Sequence, residues 1–182
     1  MMEIIVLGFI ILTLVMIFLT WYIVTYNHFQ EFIIRINEAE AQIDSILRKR
    51  FDLLNKSINI IKANIETEEE ILEEIVKLRS RKLSNFELDR KLYDGINEFN
   101  LYKEKHKKLN TVDGFVKIDV SLNTSEIEII AARKYYNDII AEYNRLVQSF
   151  PSNLLAKIYK YQHRNFYDDK DMTDEIKNDF KL

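Results

Sequence analysis

The sequence predicts an all-α protein, in which an N-terminal transmembrane helix precedes an antiparallel bundle of three to four long helices. Residues 4–24 form an apolar run without a single charge, and the rest of the chain repeats its apolar residues at helical spacing. The 182 residues also contain only three glycines and one proline. These are too few for the many turns that a β-rich fold needs.

The composition narrows the function classes that the chain can belong to. The formal net charge is −3, so the chain lacks the broad positive surface on which nucleic-acid binding depends, and we expect no nucleic-acid partner. Because cysteine is absent, disulfides, thiolate metal sites and a cysteine nucleophile are excluded.

The apolar run from Ile4 to Val24 has the length of a membrane-spanning helix, since about 20 residues cross a hydrocarbon core of roughly 30 Å. Trp21 and Tyr22 stand near its end, where aromatic rings favour the membrane interface. A cleaved signal peptide would need a basic start and a shorter apolar core, but the start carries Glu3. We therefore predict a transmembrane anchor over residues 1–26.

The distribution of basic residues predicts the orientation of this anchor. No Lys or Arg precedes the apolar run, whereas Arg35 and the group from Arg48 to Arg50 follow it. The positive-inside rule then places the C-terminal domain in the cytoplasm, at the cell membrane, with the N-terminus outside. We predict that this helical domain covers residues 27–167 and that residues 168–182 form a polar tail.

The first helix of the domain extends from about Asn27 to Asn64. Its core-facing residues recur every seven positions with others between them, and no Gly or Pro interrupts the pattern, so this helix and the anchor can be continuous. The seven-residue series contains Phe29, Ile36, Ile43, Arg50 and Ser57.

Two capping boxes predict where the second helix begins and where it resumes after a polar stretch. Thr67 with Glu70 forms the first box and Ser84 with Glu87 the second, and the apolar pattern then continues to Leu109. In an antiparallel bundle this helix would run back towards the membrane.

The last long helix gives the clearest pattern. Residues 110–124 contain Gly114 and β-branched clusters and predict a connection, after which Ser125 and Glu128 form a third capping box. Pro151 predicts the end of the helix, and Ser152 is predicted to cap a short helix that follows. A coiled-coil-like seam with spacings of three and four runs along the long helix: Glu126, Ile129, Arg133, Tyr136, Ile140, Tyr143, Val147 and Phe150.

Arg50 and Arg133 are the notable polar residues, because both fall on predicted seams. A buried guanidinium without a partner is costly, so each should meet a carboxylate. We predict a structural polar network that fixes helix register; the alternative is a small-ligand or enzymatic pocket beside the two arginines. The network residues are Asp44, Arg50, Asp52, Glu126, Arg133, Asn137 and Asn144, with Asp138 as a further carboxylate.

A basic cluster lies at the predicted end of the second helix. Its lysines can interact favourably with the helix dipole. If the helix returns to the membrane, they are instead placed to contact anionic lipid headgroups. The cluster consists of Lys103, Lys105, Lys107 and Lys108.

We find no pattern that indicates catalysis. None of the three histidines follows a glutamate by three residues, and H-E-x-x-H is absent, so neither a di-iron bundle nor a zinc protease site is indicated. The three glycines are far apart and cannot form a phosphate-binding loop. We therefore expect no catalytic residues, no metal and no cofactor.

Several short motifs occur together along the chain: Tyr26-Asn27, Ile43-Asp44, Arg50-x-Asp52-Leu53, Ala132-Arg133, Tyr136-Asn137-Asp138, Tyr143-Asn144, Phe150-Pro151, Asn153-Leu154-Leu155-Ala156 and Phe166-Tyr167. In this order and combination they resemble the LemA family, from the anchor to about Tyr167. The resemblance implies a bacterial, membrane-anchored protein with a helical bundle, and it implies no established enzymatic activity or cofactor.

The patterns favour a non-enzymatic membrane scaffold, whose expected partners are the lipid bilayer and either other proteins or further copies of the chain. We expect no small-molecule substrate. A lipid-binding or membrane-shaping module and a ligand-binding or enzymatic domain remain the alternatives.

Overall fold

The structure is a computed structural model, which describes residues 1–65, 73–78 and 83–167. Every regular element in these ranges is helical, so the predicted all-α class is confirmed. The elements are α1 (Met2–Asn64), α2 (Glu73–Leu78), α3 (Asn85–Lys105), a 3-10 helix (Lys107–Thr111), α4 (Asp113–Gln148) and α5 (Ser152–Tyr159).

Helix α1 continues without interruption for 63 residues from the apolar run into the domain, as its uninterrupted pattern allowed. Of the described helices, α1 is the one long and apolar enough to cross a membrane. The window that meets this criterion is not buried against any other part of the described chain.

The chain packs as two compact units. The first unit comprises Met1–Glu38 and Asn137–Phe166, and the second comprises Ala39–Tyr136 and Tyr167–Leu182. This division follows packing between helices rather than immersion in a membrane. The predicted boundaries after residues 26 and 167 therefore stay predictions.

In the second unit α4 runs antiparallel to α1. The Lys49 ammonium lies 2.8 Å from a Glu128 carboxylate oxygen, and the Tyr136 hydroxyl donates to Glu40 over 3.3 Å. Position numbers thus fall along α1 as they rise along α4. This arrangement agrees with the predicted antiparallel neighbour.

Helix α3 runs in the same direction as α1, contrary to the expectation that the second bundle helix returns. Arg50 contacts Asp89, and Leu54 lies beside Gly95, so position numbers rise along both helices. The direction arises because α3 begins only at Asn85, after the separate helix α2, rather than continuing one long second helix.

The predicted connection over residues 110–124 is wrong, because most of it belongs to α4. Phe115, Ile118 and Leu122 are buried, and their spacings of three and four continue the seam of α4 towards its N-terminus. Burial of this stripe outweighs the weak helix propensity of the β-branched residues around it.

Of the three predicted capping boxes, the one at Ser84 and Glu87 is confirmed. The Glu87 backbone N–H donates to the Ser84 hydroxyl over 3.3 Å, and the Ser84 N–H donates to the Glu87 carboxylate over 2.9 Å. Thr67 and Glu70 lie outside the described residues. Ser125 caps no helix, because it lies inside α4 and donates to a carbonyl of its own helix.

Pro151 follows the end of α4, as predicted, and α5 begins at the next residue. The predicted cap at Ser152 is wrong. Its hydroxyl donates to the carbonyls of Leu146 and Ser149, over 2.6 and 2.8 Å, and so bonds the last turn of α4 instead of the first turn of α5.

Replacing Gly95 by alanine should destabilise the second unit, although alanine favours a helix by about 1 kcal/mol. An added Cβ would lie 2.5 Å from Cδ1 and 2.7 Å from Cγ1 of Ile75, and 3.3 Å from Leu54 Cδ1. We expect a net loss of about 1 kcal/mol because the overlap forces helix α2 to shift. Urea unfolding of the full chain in detergent measures this change in the free energy of unfolding. Gly8→Ala is the control, because a Cβ added there meets nothing within 4 Å. A Gly95→Ala chain more stable than the parent would contradict this.

Candidate functional site

The second unit contains a partly buried polar cluster, here called the arginine cluster: Arg50, Asp89, Glu126, Arg133 and Tyr167. Three helices contribute its charges, because Arg50 lies on α1, Asp89 on α3, and Glu126 and Arg133 on α4. The side chains of Arg50 and Asp89 are almost fully buried, whereas about a third of Arg133 is exposed.

All three guanidinium nitrogens of Arg50 face an acceptor. Nε donates to the Ser125 hydroxyl over 3.1 Å, Nη2 donates to a carboxylate oxygen of Glu126, and Nη1 lies 3.6 Å from Asp89 Oδ1. Burying a guanidinium is tolerated only with such compensation. Arg50 thereby connects α1 to both other long helices of this unit.

The second carboxylate oxygen of Asp89 contacts the other two members of the cluster, Arg133 and Tyr167. It accepts from Nη2 of Arg133 and from the Tyr167 hydroxyl over 3.3 Å. The Arg133 guanidinium also lies over the Tyr167 ring, 5.6 Å from its centroid, at a distance typical of a cation–π contact. Tyr136 meets the same ring edge-on at 6.0 Å.

The cluster contains two guanidinium groups and two carboxylates, so its formal charges cancel. Arginine does not lose its proton in proteins and cannot act as a base. The Ser125 hydroxyl donates to the Leu122 carbonyl over 2.6 Å and accepts from Arg50, so its proton is directed to a carbonyl rather than to a base. These contacts hold three helices of the unit together.

A family model described as the LemA family matches residues 39–180. The chain belongs to the LemA family. The match covers more than half of the chain and includes the whole arginine cluster. It begins after the apolar part of α1, whereas the sequence resemblance started at the anchor. Among curated proteins, none matches the chain significantly.

Within this LemA domain, three members of the predicted polar network come together: Arg50, Glu126 and Arg133. The other predicted carboxylates lie elsewhere. Asp44 pairs with Arg48 one turn along the surface of α1, at 2.8 Å, and Asp52 and Asp138 are exposed.

The sequence analysis missed Asp89 and the role of Tyr167 in the LemA domain. Asp89 precedes the buried residue Leu92 by three positions, on the buried face of α3. The rule that selected Arg50, a charged residue on an apolar seam, would have found Asp89 if applied to α3. No helical or strand periodicity marks Tyr167, because it lies in an irregular segment; Phe166-Tyr167 was noted only as one of the motifs that resemble the LemA family.

Asn144, which we predicted in the network with the arginines, instead binds the backbone in the first unit. Its side-chain N–H donates to the Arg164 carbonyl over 2.8 Å, and its side-chain oxygen accepts from the Arg164 N–H over 2.9 Å. Arg164 also lies over the ring of Tyr143. Asn144 therefore holds the chain that follows α5 against α4, and the half-buried Asn137 lies two turns before it on α4.

The two residues predicted at the membrane interface are half-buried in the first unit. The Trp21 ring packs against Phe18 at 5.6 Å, while the Tyr22 hydroxyl hydrogen-bonds to that of Tyr159 on α5. The Tyr26 ring lies 5.2 Å from the same Tyr159. These contacts attach α5 to the end of the charge-free run of α1 and to the turn that follows it.

A cleft of about 210 Å³ also lies in the first unit, between α1 and the end of α4. Its volume falls below the range of about 300–1,000 Å³ that is usual for ligand sites. It is lined by His28, Phe32, Glu142, Arg145, Leu146 and Ser149.

The four lysines of the basic cluster lie at the end of α3 and in the 3-10 helix. Lys103 is bound to Asp119 of α4 at 2.6 Å, and Lys107 and Lys108 are exposed. Because α3 runs in the direction of α1 in the second unit, this end of α3 corresponds to the C-terminal end of α1. The contact of these lysines with lipid headgroups stays a prediction.

Replacing Tyr167 by phenylalanine should alter the pH dependence of stability. Burial and the adjacent Asp89 raise the pKa of the Tyr167 hydroxyl above its ordinary value. The folded chain thus favours the neutral hydroxyl, and stability falls as the pH rises above about 10, where the unfolded chain ionises freely. We expect the free energy of unfolding to fall less steeply in Tyr167→Phe than in the parent.

Urea unfolding at several alkaline pH values measures this difference. Tyr93, which is exposed on α3, gives the control variant Tyr93→Phe. Its profile should follow that of the parent. Parallel profiles for Tyr167→Phe and the parent would show that the hydroxyl of Tyr167 is not protected in the fold.

Proposed function

We propose that the chain is a single-pass membrane protein whose LemA domain acts as a non-enzymatic scaffold. The main support is the charge-free part of α1, whose large apolar side chains from Ile4 to Leu19 are 46–74% exposed. Such a continuous apolar surface is favourable against acyl chains and unfavourable against water. A helix also satisfies its own backbone hydrogen bonds inside lipid.

The proposal includes an orientation. No basic residue precedes the apolar run, and Arg35 with Arg48 to Arg50 follow it, which favours a cytoplasmic domain. Added protease should therefore leave the C-terminal segment of the chain intact in sealed spheroplasts and degrade it after lysis. Degradation in sealed spheroplasts would reverse the orientation without affecting the anchor.

Trp21, the only tryptophan of the chain, offers a direct test of anchoring. In vesicles that contain brominated phosphatidylcholine, we expect strong quenching of its fluorescence, because the end of a spanning helix lies at the headgroup and upper acyl level. Lipids brominated near the headgroup should quench more than lipids brominated at the end of the acyl chain.

The control for this test moves the tryptophan to an exposed position of the second unit. The double variant Trp21→Phe, Tyr93→Trp has its indole on the outer surface of α3 and should show little quenching. Equal and weak quenching in both proteins would contradict anchoring through α1.

The contacts of the arginine cluster support a non-enzymatic role. Arg50 directs its three nitrogens to protein acceptors, and both oxygens of Asp89 face cationic groups. A substrate would have to displace these intramolecular partners before it could bind there. The alternative of a ligand pocket beside Arg50 and Arg133 is therefore less well supported than a structural role.

A second apolar stripe on α4 supports a role in protein binding. Val116, Val120, Ile127 and Ile130 are exposed, and with Asn123 their positions follow the alternating spacing of four and three that helices use to pair. The buried seam of α4 uses other residues. We propose that a helix of a membrane partner or of a second copy packs on this outer stripe.

Crosslinking in intact cells, followed by mass spectrometry, tests the outer stripe. A photoreactive amino acid at Ile127 should form a defined product, whereas one at Leu101, a similarly exposed apolar position on α3, should not. A product that contains only this chain identifies self-association. No product above the level of the Leu101 control would remove the support for this surface.

A further inference from the structure

Helix α5 buries one face and exposes an apolar stripe on the opposite face. Leu155 and Ala156 are buried in the first unit, whereas Phe150, Leu154 and Ile158 are 80%, 48% and 70% exposed. Leu154 and Ile158 are four apart and so share one side of the helix. Phe150, predicted to end the buried seam of α4, lies between the two helices, since α4 ends at Gln148 and α5 begins at Ser152. These three exposed residues are here called the α5 stripe.

The position of α5 relative to the apolar run is fixed by aromatic contacts within the first unit. Tyr159, the last residue of α5, bonds to Tyr22 through its hydroxyl and packs on the Tyr26 ring. Tyr22 lies at the end of the charge-free run, and Tyr26 lies one turn beyond it. Helix α5 therefore lies beside the point at which α1 would leave a bilayer.

The charges within the segment that carries the α5 stripe all have one sign. From Ser149 to Tyr167 the chain contains Lys157, Lys160 and Arg164 and no acidic residue. Lys160 adopts the left-handed conformation, with φ of 57°, at a helix end where glycine is the usual residue. Lys160 thus places a positive charge at a helix end where the backbone conformation favours glycine.

We propose that α5 is a second membrane contact, which lies in the headgroup layer of the same bilayer that α1 crosses. The α5 stripe enters the boundary of the acyl chains, and the exposed Lys157 and Lys160 face anionic headgroups. This is the arrangement of an amphipathic interfacial helix. The inference rests on the proposed anchoring by α1, since only that anchor brings α5 to the membrane.

Two observations favour a bilayer over a protein as the occupant of the α5 stripe. The apolar stripe lies beside the apolar run of α1, so one lipid phase can cover both surfaces. The wholly cationic segment around it matches an anionic lipid surface in charge. The second feature is not shared by the outer stripe of α4, where Asp119 and Glu128 stand among the neighbouring residues.

Because the chain has no cysteine, single cysteines can report the depth of individual residues in the full-length protein. An environment-sensitive dye is attached in Leu12→Cys, Ile158→Cys and Ile127→Cys, and each protein is reconstituted in vesicles of equal parts phosphatidylcholine and phosphatidylserine. Nitroxide lipids then quench dyes that contact the bilayer. We expect quenching at Leu12 and Ile158 to exceed that at Ile127 severalfold.

The three labelled positions distinguish the proposed anchoring by α1 from the inferred membrane contact of α5. Weak quenching at Leu12 would overturn the anchoring and the inference together. Strong quenching at Leu12 with quenching at Ile158 no greater than at Ile127 would overturn the inference alone. A dye at Ile158 that is shielded from water but not quenched by nitroxide lipids would also overturn it, because a protein would then cover the stripe.

A charge variant tests the part played by anionic lipid. Replacing both Lys157 and Lys160 by glutamine should reduce the quenching at Ile158 and leave that at Leu12 unchanged, as should omission of phosphatidylserine. Both lysines are exposed, so the fold should tolerate the change. Unchanged quenching at Ile158 in the variant would overturn the proposed recognition of anionic headgroups.

Discussion

Replacing Asp89 by alanine is expected to destabilise the domain by about 3 kcal/mol, because it leaves a buried guanidinium without its full set of partners. The variant retains Arg50 and Arg133 but only one carboxylate, Glu126, between them. Arg50 cannot reach water from its buried position. This value is at the lower end of the stability loss that follows when one partner of a buried ion pair is removed. The lower end applies because Arg133 is partly exposed and can be solvated.

The measurement is urea unfolding of the full chain in detergent micelles, followed by circular dichroism. Asp138→Ala is the matched control, since Asp138 is an exposed aspartate and its removal should change stability by less than about 0.5 kcal/mol. Asp89→Asn should lie between the two because it keeps an acceptor for Tyr167. Equal midpoints for Asp89→Ala and Asp138→Ala would mean that the arginine cluster does not stabilise the fold.

Replacing Phe99 by alanine is expected to cost about 3–5 kcal/mol, the range found when a buried aromatic ring is removed. Phe99 is fully buried on α3, and its ring stacks on Phe115 of α4 with centroids 4.6 Å apart. The loss comprises the transfer of the ring to water and the cavity left beside Phe115.

The same unfolding experiment checks this effect. Tyr93→Ala removes an exposed ring from the same helix and should change stability by less than about 0.5 kcal/mol. If the two variants unfold at the same urea concentration, the stacked pair contributes nothing and the packing of α3 against α4 is misassigned.

The features that could be predicted from the sequence are those with a local cause. The continuity of α1 follows from an apolar period that no Gly or Pro interrupts. The cap at Ser84 needs only Glu87, three residues away. Arg50 could be selected because a charge on an apolar seam requires a partner, and Glu126 was among the partners considered.

The features that could not be predicted depend on which helix packs against which. Periodicity shows which face of α3 is buried but not the direction in which α3 runs, and so its predicted return along α1 was wrong. The start of α4 was missed because the β-branched residues after Gly114 are weak helix formers. Their helix is stabilised by the burial of Phe115, Ile118 and Leu122 against other elements.

Asn144 shows a further limit of prediction from sequence periodicity. Its position beside the seam suggested a register-fixing role with Arg133, yet its amide binds the backbone of Arg164 in both directions. The segment that contains Arg164 has neither helical nor strand periodicity. A pattern-based prediction therefore has no means of identifying it as the partner.

The irregular segment that contains Arg164 is part of the folded domain, so the domain extends beyond its last helix. Helices alone would suggest a last residue at Tyr159, yet a chain cut there would strand the amide of Asn144 and expose the aromatic rings of Tyr136 and Tyr143 that Tyr167 and Arg164 cover. A recombinant fragment should therefore retain at least every residue up to Tyr167, and cleavage by a protease between Tyr159 and Tyr167 should disrupt these contacts in each of the two units.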